Sequence, residues 1–78
     1  MNTPEDVGAR LRYLRTKKGM KIRAVAIDIN ISYSQYYEYE HGALYPPTHM
    51  VGVLCDYYGV DANWLLGIGG KNAQKATF

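Results

Sequence analysis

Apolar positions along this chain recur three and four residues apart in short runs. Val7, Leu11 and Leu14 make the first such stripe, the spacing of one face of an α-helix. Thr3 can cap that helix, Pro4 suits its first position, and Asp6 sits where the helix dipole favours an anion. Lys17 and Lys18 complement its carboxyl end, and Gly19 provides a left-handed stop. A second helix is predicted over about residues 22–29, from Ile22, Val25, Ala26 and Ile29. Its valine and isoleucine content makes a strand the competing reading, but three-residue spacing without alternation favours helix. Asn30 follows, a residue that tolerates positive φ.

Ser32-Tyr33-Ser34-Gln35 has the Ser-x-x-Gln form of a capping box and predicts a third helix running to about Glu40. Tyr36 and Tyr39 fall on one face; Tyr33, Ser34, Tyr37 and Glu38 fall on the other. Gly42 ends it, and residues 43–47 read as a loop. Thr48 is the expected cap of a fourth helix whose buried stripe is Val51, Leu54, Cys55 and Tyr58, stopped by Gly59. Asp61 caps a short last helix carrying Trp64, Leu65 and Leu66. A glycine-rich segment, residues 67–70, breaks the pattern, and residues 68–78 read as a flexible tail. The chain contains no internal repeat. The expected architecture is all-α: five short helices, the second and third joined by a turn of three or four residues.

Composition narrows the function. Seventy-eight residues make one domain, and a chain this short buries only roughly 60% of its extended surface. Its stability is on the order of 5 kcal/mol, which leaves little room for a large substrate cavity with rigid support. No enzyme is expected, and no arrangement of serine, histidine and aspartate suggests catalysis. The single cysteine, Cys55, has no internal disulfide partner, which fits a cytoplasmic, reducing location. No apolar run approaches a membrane span, and the first residues lack the pattern of a signal peptide. His41, His49 and Cys55 lack the spacing of a zinc site, so neither metal nor other cofactor is expected. Gly67-Ile68-Gly69-Gly70-Lys71 resembles a phosphate loop only superficially, because it follows a helix and lacks the Lys-Ser/Thr ending. Asn30-Ile31-Ser32 fits a glycosylation sequon that a cytoplasmic chain would leave unused.

The net charge of +2 hides a segregation. Arg10, Arg12, Arg15, Lys17, Lys18, Lys21 and Arg23 occupy one stretch, while residues 24–70 contain no lysine or arginine. Lys71 and Lys75 follow in the tail, and an anionic partner has to be met within that distribution.

In these positions the chain resembles the Cro/CI-type helix-turn-helix domains of phage and bacterial repressors, the XRE family. The likeness covers about residues 7–66. It rests on Val7-Gly8, Leu11-Arg12, Leu14-Arg15, Gly19-Met20, Val25-Ala26, Ile31-Ser32, Glu40-x-Gly42, Pro47, Leu54-Cys55, Tyr58-Gly59-Val60 and Trp64-Leu65-Leu66 in that order. The resemblance implies a five-helix, lambda-repressor-like domain over residues 1–67 that binds a double-stranded DNA operator as a transcriptional regulator. The third helix, about residues 33–40, would enter the major groove, and small members of the family tend to bind as two-fold dimers. Base readout then falls to Tyr33, Ser34, Tyr37 and Glu38, and phosphate contact to Arg12, Lys21, Arg23 and Tyr45. Arg15 and Glu40 match a structural ion pair between the first and third helices, a planar guanidinium meeting a carboxylate at two points.

Each of these residues also has a plainer reading. The tyrosines could simply cover the second helix, Glu38 could be an exposed acid that phosphate repels, and the basic residues could be a solvated face. A tyrosine ring on the outer face can pack on a thymine methyl, and a carboxylate can accept from a cytosine amino group. Lys21 and Ile22 stand where the family commonly has a capping Ser or Thr and then a Gln, and the loop over residues 43–46 carries no basic residue. Ile22, Ile27, Tyr33 and Tyr37 exposed together would favour a rival function: a protein-interaction module on the same fold, an antirepressor or complex subunit.

Overall fold

A computed structural model describes residues 3–68. They form α1 (Pro4–Lys17), α2 (Ile22–Asp28), α3 (Tyr33–Glu40), α4 (Thr48–Tyr58) and α5 (Ala62–Leu66). There is no strand among the described residues, and the expected tail beyond residue 68 lies outside them. Local chemistry sets most boundaries. Thr3 Oγ1 accepts from the Asp6 amide and Asp6 Oδ2 accepts from the Thr3 amide, both at 3.2 Å, a reciprocal capping box. Asn30 adopts φ 63°, and the Ile31 amide donates back to the Ala26 carbonyl at 3.0 Å, so the chain turns within the four residues between α2 and α3. Asp61 Oδ1 accepts from the Asn63 amide at 3.1 Å and opens α5.

Two expected caps differ. Pro47, not Thr48, is the N-cap of α4. Its backbone is extended, and its carbonyl accepts from the amides of Met50 at 2.8 Å and Val51 at 2.9 Å; Thr48 is already helical. At α3, Ser32 Oγ accepts from the Gln35 amide at 3.0 Å. The Gln35 side chain does not return to the cap; it donates to the Tyr39 hydroxyl at 3.0 Å. A neighbour one turn along the helix has outcompeted the box.

The core joins Val7, Leu11 and Leu14 of α1 to Val25 and Ala26, Tyr36 and Tyr39, Met50, Leu54 and Tyr58, with Val60 and Leu65. Met50 takes a place in the α4 stripe that the spacing did not single out, and Cys55 is only partly buried. Helix α2 has seven residues and no side-chain cap, too short to persist alone. Tertiary contacts hold it: Val25 and Ala26 are buried, and the Tyr57 hydroxyl of α4 donates to Asp28 Oδ2 at 2.6 Å. Ile22, expected among the exposed residues, instead packs half-buried against the core. It is the first apolar residue of the α2 stripe, and burying it is what anchors an uncapped helix start.

Tyr36 and Tyr58 bring two phenols into this core, and their hydroxyls share a hydrogen bond of 2.6 Å. Burial pushes the Tyr58 hydroxyl up to about 12 and that of Tyr36 higher still. Both are neutral in the fold, whereas unfolded tyrosine ionises near 10. Above that pH the unfolded chain has lost protons the fold retains, so stability falls as pH rises. The loss is roughly 1.4 kcal/mol per pH unit for each phenol. Helical circular dichroism is therefore expected to collapse cooperatively between pH 10 and 12; a signal unchanged through pH 12 contradicts it.

Candidate nucleic-acid interface

The outward face of α3 follows from what its other face buries. Tyr36, Tyr39 and Glu40 point into the core, which at helical spacing turns Tyr33, Ser34, Tyr37 and Glu38 outward. All four are exposed, Tyr33 at 47% and Tyr37 at 42%. They line one cleft of about 350 Å³. Ala26, 2% exposed, is the small residue that lets α2 pack closely beside α3.

Helix α3 is held in place by a clamp from α1. Arg15 Nε donates to Glu40 Oε2 at 2.6 Å and Arg15 Nη2 donates to Glu40 Oε1 at 3.0 Å. Its Nη1 donates to the Met20 carbonyl at 2.9 Å, just before α2. One guanidinium thus joins the carboxyl end of α3, the last turn of α1 and the entry to α2. The Glu40 side chain is fully buried and that of Arg15 is 16% exposed. The hydrogen bond to Glu40 raises the Arg15 ionisation above its ordinary range, against the opposing effect of burial. At such depth the pair is worth most as a fixed geometry.

The basic residues divide into two places. Lys21 and Arg23 flank the start of α2 and share a second cleft, about 310 Å³, with Arg15, Ile22 and Tyr33. The Arg23 guanidinium lies 5.8 Å from the Tyr33 ring centre, within cation–π range. Arg12 sits at the other end of α3: its Nη2 is 3.4 Å from His41 Nε2, and its Nε is 3.9 Å from Glu40 Oε1. Tyr45 is exposed in the loop after α3 and lines neither cleft.

His41 belongs to this face, although its residue type first drew attention only as a metal ligand. Its ring stacks on Tyr37 at 3.8 Å and 11°, and Tyr37 stacks on Tyr33 at 6.1 Å and 26°. Three rings four residues apart therefore form one ladder along α3, bordered by Arg23 and Arg12. With Nδ1 donating to the Tyr37 carbonyl at 3.0 Å, Nε2 is free to accept from Arg12, so one neutral tautomer serves both contacts. The spacing of Tyr33, Tyr37 and His41 is legible in the sequence; that a C-cap residue continues the stack is not.

Among the described residues no group of three His, Cys, Asp or Glu side chains could hold a metal ion, and no helix is long and apolar enough to cross a membrane. The comparisons with curated proteins and with solved structures give no match. A family model described as a helix-turn-helix domain matches residues 8–67, the span that holds α2, its turn, α3 and nearly all of the packing around them. Helix-turn-helix domains are DNA-binding units whose second helix meets the major groove. With five helices, a reversal at Asn30 and an outward-facing α3, the chain belongs to the helix-turn-helix domain family.

Proposed function

We propose that this protein is a sequence-specific transcriptional regulator of repressor type, binding double-stranded DNA with α3 in the major groove. The observation that carries this reading is the placement of the α3 face between two basic sites, Lys21 with Arg23 and Arg12. Phosphates flank a groove on both sides, and cations at both ends of a reading helix match that geometry. Tyr33, Ser34, Tyr37 and Glu38 are the base-reading residues. Arg12, Lys21 and Arg23 meet phosphate, with the Tyr45 hydroxyl as a neutral contact. The domain acts without catalysis, inside the cell where its DNA lies. It binds as a homodimer on half-sites about 34 Å apart, one helical turn, and the region of Trp64 and Ile68 is the candidate dimer surface.

The rival, a protein-interaction module, is favoured by Ile27, 70% exposed on α2. It loses Ile22, which is half-buried.

Selection from random duplexes at two salt concentrations tests the proposal. Enrichment of a two-fold-related site is expected. Log affinity should fall against log salt with a slope of roughly −3 per domain, at about −0.9 for each of three phosphates. Absence of enrichment at low salt refutes DNA recognition, and a stoichiometric protein partner captured in its place establishes the rival.

A further inference from the structure

The side chains offered by α3 define which base they can read. Guanine is most often read by arginine or lysine, and adenine by asparagine or glutamine, through paired hydrogen bonds. No residue of α3 is basic. Its one amide side chain, Gln35, is partly buried and donates to the Tyr39 hydroxyl at 3.0 Å. The arginines bordering the ladder, Arg12 and Arg23, belong to α1 and α2. What α3 does present is ring surface: Tyr33 and Tyr37, stacked on each other, with His41 supporting Tyr37 from the far side. Of the four bases only thymine carries an apolar group into the major groove, its 5-methyl. A ring held on both sides is also a rigid partner, so little side-chain freedom is lost on contact.

Resting on the reading of α3 as the groove helix, we propose that Tyr33 and Tyr37 recognise thymine methyl groups, so that the half-site contains thymines whose methyls carry a large part of the specificity. The cleft lined by Tyr33, Ser34, Tyr37 and Glu38 receives the methyl. The Ser34 hydroxyl and Glu38 carboxylate restrict the neighbouring positions to bases with a matching polar edge.

The test takes the duplex enriched by selection and replaces each thymine in turn with deoxyuridine. This removes the methyl and leaves base pairing intact. Affinity is expected to fall about fourfold at each contacted position, the value of one buried carbon group. In the Tyr37→Ser variant the thymine and deoxyuridine duplexes should bind alike at one of those positions. Tyr33→Ser should have the same effect at another. Both tyrosines are exposed, and circular dichroism melts establish that the variants remain folded. Specific binding that is unchanged by every deoxyuridine replacement overturns the inference and leaves DNA recognition standing. A methyl effect that survives both tyrosine substitutions also overturns it. Failure to enrich any duplex overturns the underlying reading and the inference together.

Discussion

Arg15→Met is expected to remove more than half of the folding stability and to lower the melting temperature steeply. The substitution leaves the Glu40 carboxylate buried with no exposure and without its two close donors. Removing one partner of a buried pair costs about 3–5 kcal/mol, against a total stability of about 5 kcal/mol for a domain of this size. Arg12 Nε, 3.9 Å from Glu40 Oε1, remains as a weak substitute and holds the loss near the lower end. Glu40→Gln should cost less, because the stranded Arg15 still reaches the Met20 carbonyl and some solvent. The double variant, Arg15→Met with Glu40→Gln, should recover a large part of the combined loss, since no charge is left without a partner. Thermal melts of the three variants form the cycle. Strictly additive effects would mean that the two groups do not stabilise each other. The cycle bears on function too, because the same guanidinium sets where α3 stands relative to α2.

Gly8→Ala is the second large effect. Gly8 is buried where α1 crosses the end of α3. A methyl there would press on the Glu40 carbonyl oxygen and lie 2.7 Å from that of Tyr39. Both obstacles are backbone, so no side chain can swing aside, and α1 and α3 must separate along the seam that the Arg15 clamp closes. A loss of about 3 kcal/mol, the upper part of the overpacking range, is expected. Gly52→Ala is the control: it lies on the exposed side of α4 with nothing within 4 Å of an added carbon. It should stabilise the protein by about 1 kcal/mol through helix propensity alone. Equal melting temperatures for the two variants would show that the α1–α3 crossing is looser than described.

How far the fold was legible depended on how local the controlling chemistry is. The caps at Thr3, Ser32 and Asp61 and the left-handed residues at Asn30 and Gly59 act within a few positions of chain, so residue type and spacing locate them. The choice of Pro47 over Thr48 went the other way, because an extended proline can lend its carbonyl to α4 without any side-chain signature. The two faces of α3 were readable from periodicity. The fate of Ile22 was not, since a residue at the start of a seven-residue helix is buried or exposed according to where the rest of the core lies.

The same division holds for the site. Residue types and their order by themselves determine five short helices, a reversal between the second and third, and an α3 with rings and no cations outward. These follow from hydrogen bonding and side-chain direction along a single helix. Only the tertiary structure decides that Arg15 joins three elements, that Lys21 and Arg23 share a cleft with Tyr33, and that His41 extends the ladder toward Arg12. Those contacts join residues of different helices, or depend on how a C-cap side chain turns. The packing of small and buried residues such as Gly8 and Ala26 sets how closely the helices approach, and the bond to the Tyr37 carbonyl turns His41, neither of which periodicity encodes.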